Sequence, residues 1–85
     1  MIINTIEIED NDIEIYPNLL NFETEIKIES NSLIKEVKVF DMKLRLIKNR
    51  LENNVVYFDS NLVPGMYILQ IISEKGLVSK KFIKV

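Results

Sequence analysis

The chain has no cysteine, no histidine and no alanine, and only two glycines and two prolines in 85 residues. Each absence excludes something. Without cysteine there is no disulfide framework and no thiol nucleophile. Without histidine the commonest general base and the commonest transition-metal ligand are gone. The serines at positions 30, 32, 60, 73 and 79 therefore have no imidazole to activate them. Without alanine the strongest helix former is missing. No apolar run approaches the ~20 residues of a membrane-spanning helix. Residues Met1 to Glu9 lack the basic start and continuous apolar stretch of a secretory signal, so an exported form needs its signal elsewhere in a longer chain. An independent enzyme is disfavoured on the same grounds, and no cofactor is implied.

What is present points to strands. Fourteen isoleucines fit a pleated, half-buried surface. Apolar residues alternate in Ile6–Glu9, Asp12–Ile15, Thr24–Glu29, Glu36–Phe40 and Leu44–Lys48. Asn54–Phe58 is short and apolar on both faces, and Gly65–Ser73 and Leu77–Lys84 read as a hairpin turning at Glu74-Lys75-Gly76. The nine asparagines fall mostly between these runs, where they tolerate turn geometry. Asn18–Phe22 is the one stretch that could be helical, and it is too short to nucleate alone. Seven or eight short strands spaced about 8–12 residues apart predict an all-β antiparallel sandwich. One parity of each strand supplies the expected core: Ile13, Ile15, Ile26, Ile28, Val37, Val39, Leu44, Leu46, Tyr67, Leu69 and Ile71. In the last strand Val78, Lys80 and Phe82 share one face and Leu77, Lys81 and Ile83 the other. Either both faces are partly covered or Lys80 guards an open edge. A chain this short buries only roughly 60–65% of its unfolded surface and makes one domain, residues 13–85, with 1–12 as a linker or an extra strand.

Charge is uneven. Residues 1–36 hold nine acids and two lysines, a balance of −7, while residues 37–85 hold four acids and nine bases, a balance of +5. The expected reason is compensation between strands that pair across the two halves. The bases are too dispersed, and too little interleaved with aromatics, for a nucleic-acid footprint. The acids Glu7, Glu9, Asp10, Asp12 and Glu14 lack the glycine and bidentate glutamate of a calcium loop and read as a solvated face. Asp41, Arg45 and Asp59 set no nucleophile beside a base.

Three local motifs stand out. Tyr16-Pro17-Asn18 ends a strand with a rigid turn, leaving Tyr16 in or beside the core. Asp41-Met42-Lys43-Leu44-Arg45 joins two strands, with Asp41 able to accept from turn amides. A tight loop there calls for glycine or asparagine near position 44, so the turn is wider or Leu44 belongs to the strand. Pro64-Gly65 suits a turn with glycine in the left-handed position, and Tyr67 follows with its ring available to the core and its hydroxyl to the backbone.

Taken in order, Ile15–Asn18, Val37–Ile47, Asn61–Ile71 and Lys80–Lys84 resemble the blocks of the type A C-terminal sorting domain of type IX secretion cargo. The resemblance covers roughly Ile13 to Val85. Leu19 stands where the family has a second proline, and Leu44 where it has glycine. Membership implies a seven-stranded immunoglobulin-like domain with no catalytic role. The cargo reaches the periplasm on its own signal peptide. The domain is then recognised by the secretion machinery at the outer membrane, and a sortase commonly removes it, leaving cargo secreted or at the surface of a Gram-negative cell. The cleavage point would lie near or before Met1–Asp12. Residues matching the family's motif are Tyr16, Pro17, Asn18, Asp41, Arg45 and Pro64. Gly65 and Tyr67 are the expected scaffold, and Lys80, Lys81, Phe82, Ile83 and Lys84 the strand that is read. Partners are the machinery, the sortase and an upstream cargo, with no nucleic acid and no membrane insertion. A homodimer through edge strands and a generic adhesion or spacer module remain the alternatives.

Overall fold

The computed structural model describes residues 13–58 and 62–85. The alternation at Ile6–Glu9, most of the acidic cluster and Asp59 lie outside the described residues. Those described form β1 (Ile13–Tyr16), β2 (Leu19–Leu20), β3 (Glu25–Ser30), β4 (Ile34–Asp41), β5 (Leu46–Ile47), β6 (Asn49–Glu52), β7 (Val55–Phe58), β8 (Gly65–Ser73) and β9 (Gly76–Lys84). One sheet has the order β1-β3-β7-β6 and the other β2-β9-β8-β4-β5. This is the ABED sheet facing the GFC sheet of an immunoglobulin-like sandwich. The all-β expectation holds, with two corrections to its topology.

The first correction concerns 18–22. These residues form no helix; Leu19 and Leu20 are a strand that lies parallel to β9, in register with Ile83 and Lys84. The chain leaves one sheet at Tyr16, crosses at a cis Tyr16-Pro17 bond and joins the other sheet, so the fold is not wholly antiparallel. The second concerns 44–52. The strand expected over Leu44–Lys48 shrinks to Leu46–Ile47, and an unanticipated strand β6 follows. Leu44 and Leu46 are 77% and 65% exposed, not core. β6 is an edge with Leu51 as its inward apolar residue, too little for the alternation to register. Asn53 and Asn54, with φ of 53° and 62°, make the two-residue turn joining it to β7.

The rest of the expected core is buried, and Leu20, Ile34, Val56, Val78 and Phe82 join it. Ile13, Ile26, Val39, Leu69, Ile71 and Phe82 are each fully buried. Phe82 of β9 and Phe58 of β7 meet across the sandwich with centroids 5.6 Å apart, joining the sheets. Tyr67 of β8 stacks on Phe82 at 5.2 Å and 12°. Val78 and Phe82 of β9 point inward, which resolves the ambiguity of the last strand, while Lys81 and Ile83 face outward.

Leu44 carries the clearest backbone strain. It holds φ 64° in the three-residue connection between Asp41 and Arg45, so the turn is tight and not widened to spare the leucine. The left-handed conformation costs a β-carbon-bearing residue about 1–2 kcal/mol. Replacing Leu44 by Gly is expected to raise stability by about 1 kcal/mol, a gain of several degrees in Tm. In contrast, Phe82→Ala is expected to cost about 3–5 kcal/mol, a large part of a small domain's stability. Thermal unfolding of the two variants checks both signs.

Candidate functional site: the last strand and its anchors

The motif residues, though 68 positions apart at their extremes, gather in the one sheet that carries β9 and at its margin. Across the sheet Asp41 lies opposite Tyr67, and Tyr67 opposite Phe82. Residues opposite one another share a face, so Asp41, Tyr67 and Phe82 form one inward row crossing β4, β8 and β9. Three separate blocks of sequence become one stack.

The outer end of the row is a carboxylate clamp. Asp41 Oδ1 accepts from the amides of Lys43 and Arg45, each at 2.9 Å, and Oδ2 accepts from Arg45 Nε at 2.8 Å. The Asp41 side chain is only 14% exposed, whereas that of Arg45 is 70% exposed. The Arg45 amide, then the Arg45 guanidinium and the Lys43 amide, hold the Asp41 carboxyl below its ordinary value against the opposing effect of desolvation. Asp41 thus accepts from turn amides as its position suggested, and it supports the backbone that bends at Leu44.

The middle of the row is a tyrosine corner. Tyr67 is buried, and its hydroxyl donates to the Val63 carbonyl at 2.6 Å, four residues upstream. Burial pushes the phenol up, and the charge of Asp41 adds to this. The expected type II turn at Pro64-Gly65 is not formed. Gly65 has φ 151°, far from the ~80° of that turn, and opens β8 after a bend. Glycine is still required, because a side chain rarely adopts this φ. Val63, the acceptor, carried no polar side chain that would have marked it in the sequence.

The Tyr16-Pro17-Asn18 block anchors the far edge of β9. The Ile83 amide donates to the Asn18 carbonyl at 3.0 Å and the Val85 amide to the Leu20 carbonyl at 2.9 Å. Tyr16 stands beside the core, 49% exposed, while Leu20 plugs it completely. Sequence reasoning missed Leu20, although two adjacent leucines after a turn are the mark of a short strand with one inward residue. A cleft of about 340 Å³ lies between the β1–β2 crossing and β9, lined by Glu14, Pro17, Lys80 and Lys81 among others.

The lysines of β9 divide by face. Lys80 and Lys84 flank Phe82 on the inward side. Lys80 Nζ lies 3.9 Å from Glu14 of the opposite sheet, and Lys84 donates to the Asn21 carbonyl. Glu23, held below its ordinary value chiefly by the Asn21 amide, is further lowered by Lys84. The acidic and basic halves of the chain therefore meet at the margins of β9. Compensation within the sheets is weaker: Glu14 lies directly opposite Glu29. Lys81 and Ile83 are exposed, Ile83 by 38%, and lie in register with Ile68 and Met66 of β8.

An immunoglobulin-like sandwich with a tyrosine corner and a doubly anchored closing strand defines the class. The model of the family described as the secretion system C-terminal sorting domain matches residues 14–85. The chain belongs to that family, the C-terminal sorting signals of type IX secretion, whose cargo is secreted or held at the cell surface in Gram-negative bacteria. No curated protein and no solved structure matches it.

Because the Asp41 carboxyl is lowered in the folded state, its contribution to stability is complete above about pH 4 and is lost as pH falls through the depressed value. Asp41→Asn is expected to lower stability at pH 7 and to flatten the acid limb of a Tm-against-pH curve. An unchanged acid limb would remove Asp41 from its role in the turn.

Proposed function

We propose that this domain is a non-catalytic address. Folded at the end of an upstream cargo, it is bound by the outer-membrane type IX machinery after the cargo has entered the periplasm, and a sortase then removes it. The recognised element is β9, with Lys81 and Ile83 as its outward contacts. Lys80, Phe82 and Lys84 hold the strand from within, and Gly65 and Tyr67 fix its neighbour. Pro64 sets the bend before Gly65, and Tyr16, Pro17, Asn18, Asp41 and Arg45 anchor the two ends of the row.

The observation that carries this reading is that the four family blocks close one sheet around β9: the Asn61–Ile71 block pairs along it, the Ile15–Asn18 block leads into the strand that bonds its end, and the Val37–Ile47 block lies one strand further out, paired with β8. A generic spacer has no need to bind its closing strand on both sides, by β8 along its length and by β2 at its end. Exposed strand residues presented by a rigid sheet suit recognition by a partner protein. A homodimer through edge strands requires β1, β2, β5 or β6, the sheet margins among the described residues, and leaves the outward face of β9 open.

A reporter fused upstream of this chain, in a Gram-negative host with an active type IX system, tests the proposal. The intact fusion is expected at the cell surface or in the medium. Deleting residues 81–85 is expected to trap a folded reporter in the periplasm. The pair Lys81→Glu and Ile83→Ser, which spares Phe82, is expected to do the same without unfolding the domain. Surface delivery after the deletion would refute the proposal.

A further inference from the structure

Leu44 is costly to the fold and gains nothing inside it. Its backbone is left-handed, and its side chain is 77% exposed, so the leucine is neither a turn residue nor a core residue. Strain of this kind is the sort that function retains. The surroundings of Leu44 are also unusual. Among the described residues, five of the eleven exposed large hydrophobics lie in this turn, in the strand after it, beside the Pro64 bend or at the start of β8: Met42, Leu44, Leu46, Val63 and Met66. Met42, Val63 and Met66 border one shallow cleft together with Lys43 and Arg45, and Leu46 and Val63 border a second with Arg45. Met66 continues the apolar surface to Ile83 and on to Leu19, its neighbours in register.

We infer that Leu44 is a docking knob, held out by the Asp41 clamp, for a protein surface that offers an apolar socket rimmed by carboxylates. Charge selects this occupant. Lys43 and Arg45 flank the knob, and the one acid of the turn, Asp41, is turned inward and engaged by them. A second copy would bring the same cations against these, which disfavours self-association here. A bilayer is a poor fit, because none of these five exposed hydrophobics is aromatic, whereas interfacial anchors favour Trp, Tyr or Phe. Two exposed methionines suit an adaptable protein contact. The inference rests on the sorting reading and adds to it a contact particular to this chain, since the family has glycine where Leu44 stands, on the turn at the end of the sheet that carries β9.

Because the knob is strained, binding and stability should separate. In the reporter fusion, Leu44→Gly is expected to raise Tm yet slow surface delivery roughly tenfold or more, the size of a buried anchor's contribution. Leu44→Met, which keeps an apolar side chain of similar volume, is expected to retain most delivery, and Lys43→Glu to slow it without changing Tm. Asn54→Gly is the control for stability alone. It suits the positive φ of the β6–β7 turn, raises Tm and should leave delivery unchanged.

Equal delivery of Leu44→Gly and the parent chain would overturn the knob and leave the sorting reading intact. Equal slowing by Asn54→Gly would overturn it as well, by making stability the cause. No delivery of the parent fusion would overturn both readings. Leu44-dependent binding of the purified chain to phosphatidylglycerol vesicles, or Leu44-dependent dimers in sedimentation velocity, would replace the proposed partner by a membrane or by a second copy.

Discussion

The placement of Phe82 governs the rest of this fold. Its ring is completely buried, stacks on Tyr67 in the same sheet and meets Phe58 in the opposite one. Strand side chains alternate, so fixing Phe82 inward fixes Lys81 and Ile83 outward, and a slip of one residue would exchange them. Three devices prevent the slip. The two-residue turn at Glu74-Lys75 sets the β8–β9 register, Tyr67 is held by its bond to Val63, and the carbonyls of Asn18 and Leu20 take the amides of Ile83 and Val85. What a partner meets on the outer face is thus decided by a packing contact on the inner one.

Electrostatics serves the same geometry. As a charge Asp41 contributes little, because the Arg45 guanidinium that it pairs with lies in water, where ion pairs are weak. Its value lies in ordering the backbone, because its two oxygens take two amides and a guanidinium within five residues. The lysines of β9 divide similarly. Lys80 and Lys84 engage groups on the neighbouring elements, Glu14 and the Asn21 carbonyl, and leave Lys81 as the outward cation of the motif.

The sequence made some of this legible and concealed the rest for physical reasons. Strands with one buried face announced themselves, as in Glu25–Ser30, where Ile26 and Ile28 alternate with Glu25, Lys27 and Glu29. The row of Asp41, Tyr67 and Phe82 was visible only as three separate blocks, because register between distant strands is not a local property. β6 was hidden because an edge strand with one inward leucine has almost no hydrophobic period. The Asn53-Asn54 pair was its one local sign, since two positive-φ residues imply a hairpin on both sides. Leu44 misled for the opposite reason: its hydrophobicity suggested core, but the Asp41 clamp overrides the preference of the residue. Leu19-Leu20 was obscured by length, two residues being too few for any period to show.

The parallel strap between β2 and β9 has a consequence for timing. The carbonyls of Asn18 and Leu20 wait for amides supplied by Ile83 and Val85, more than sixty residues later. Contacts of such sequence separation form late and slowly. A chain without β9 has an unplugged core and an unfinished sheet, so the outer face of this sheet exists only once residues 76–85 have docked between β8 and β2.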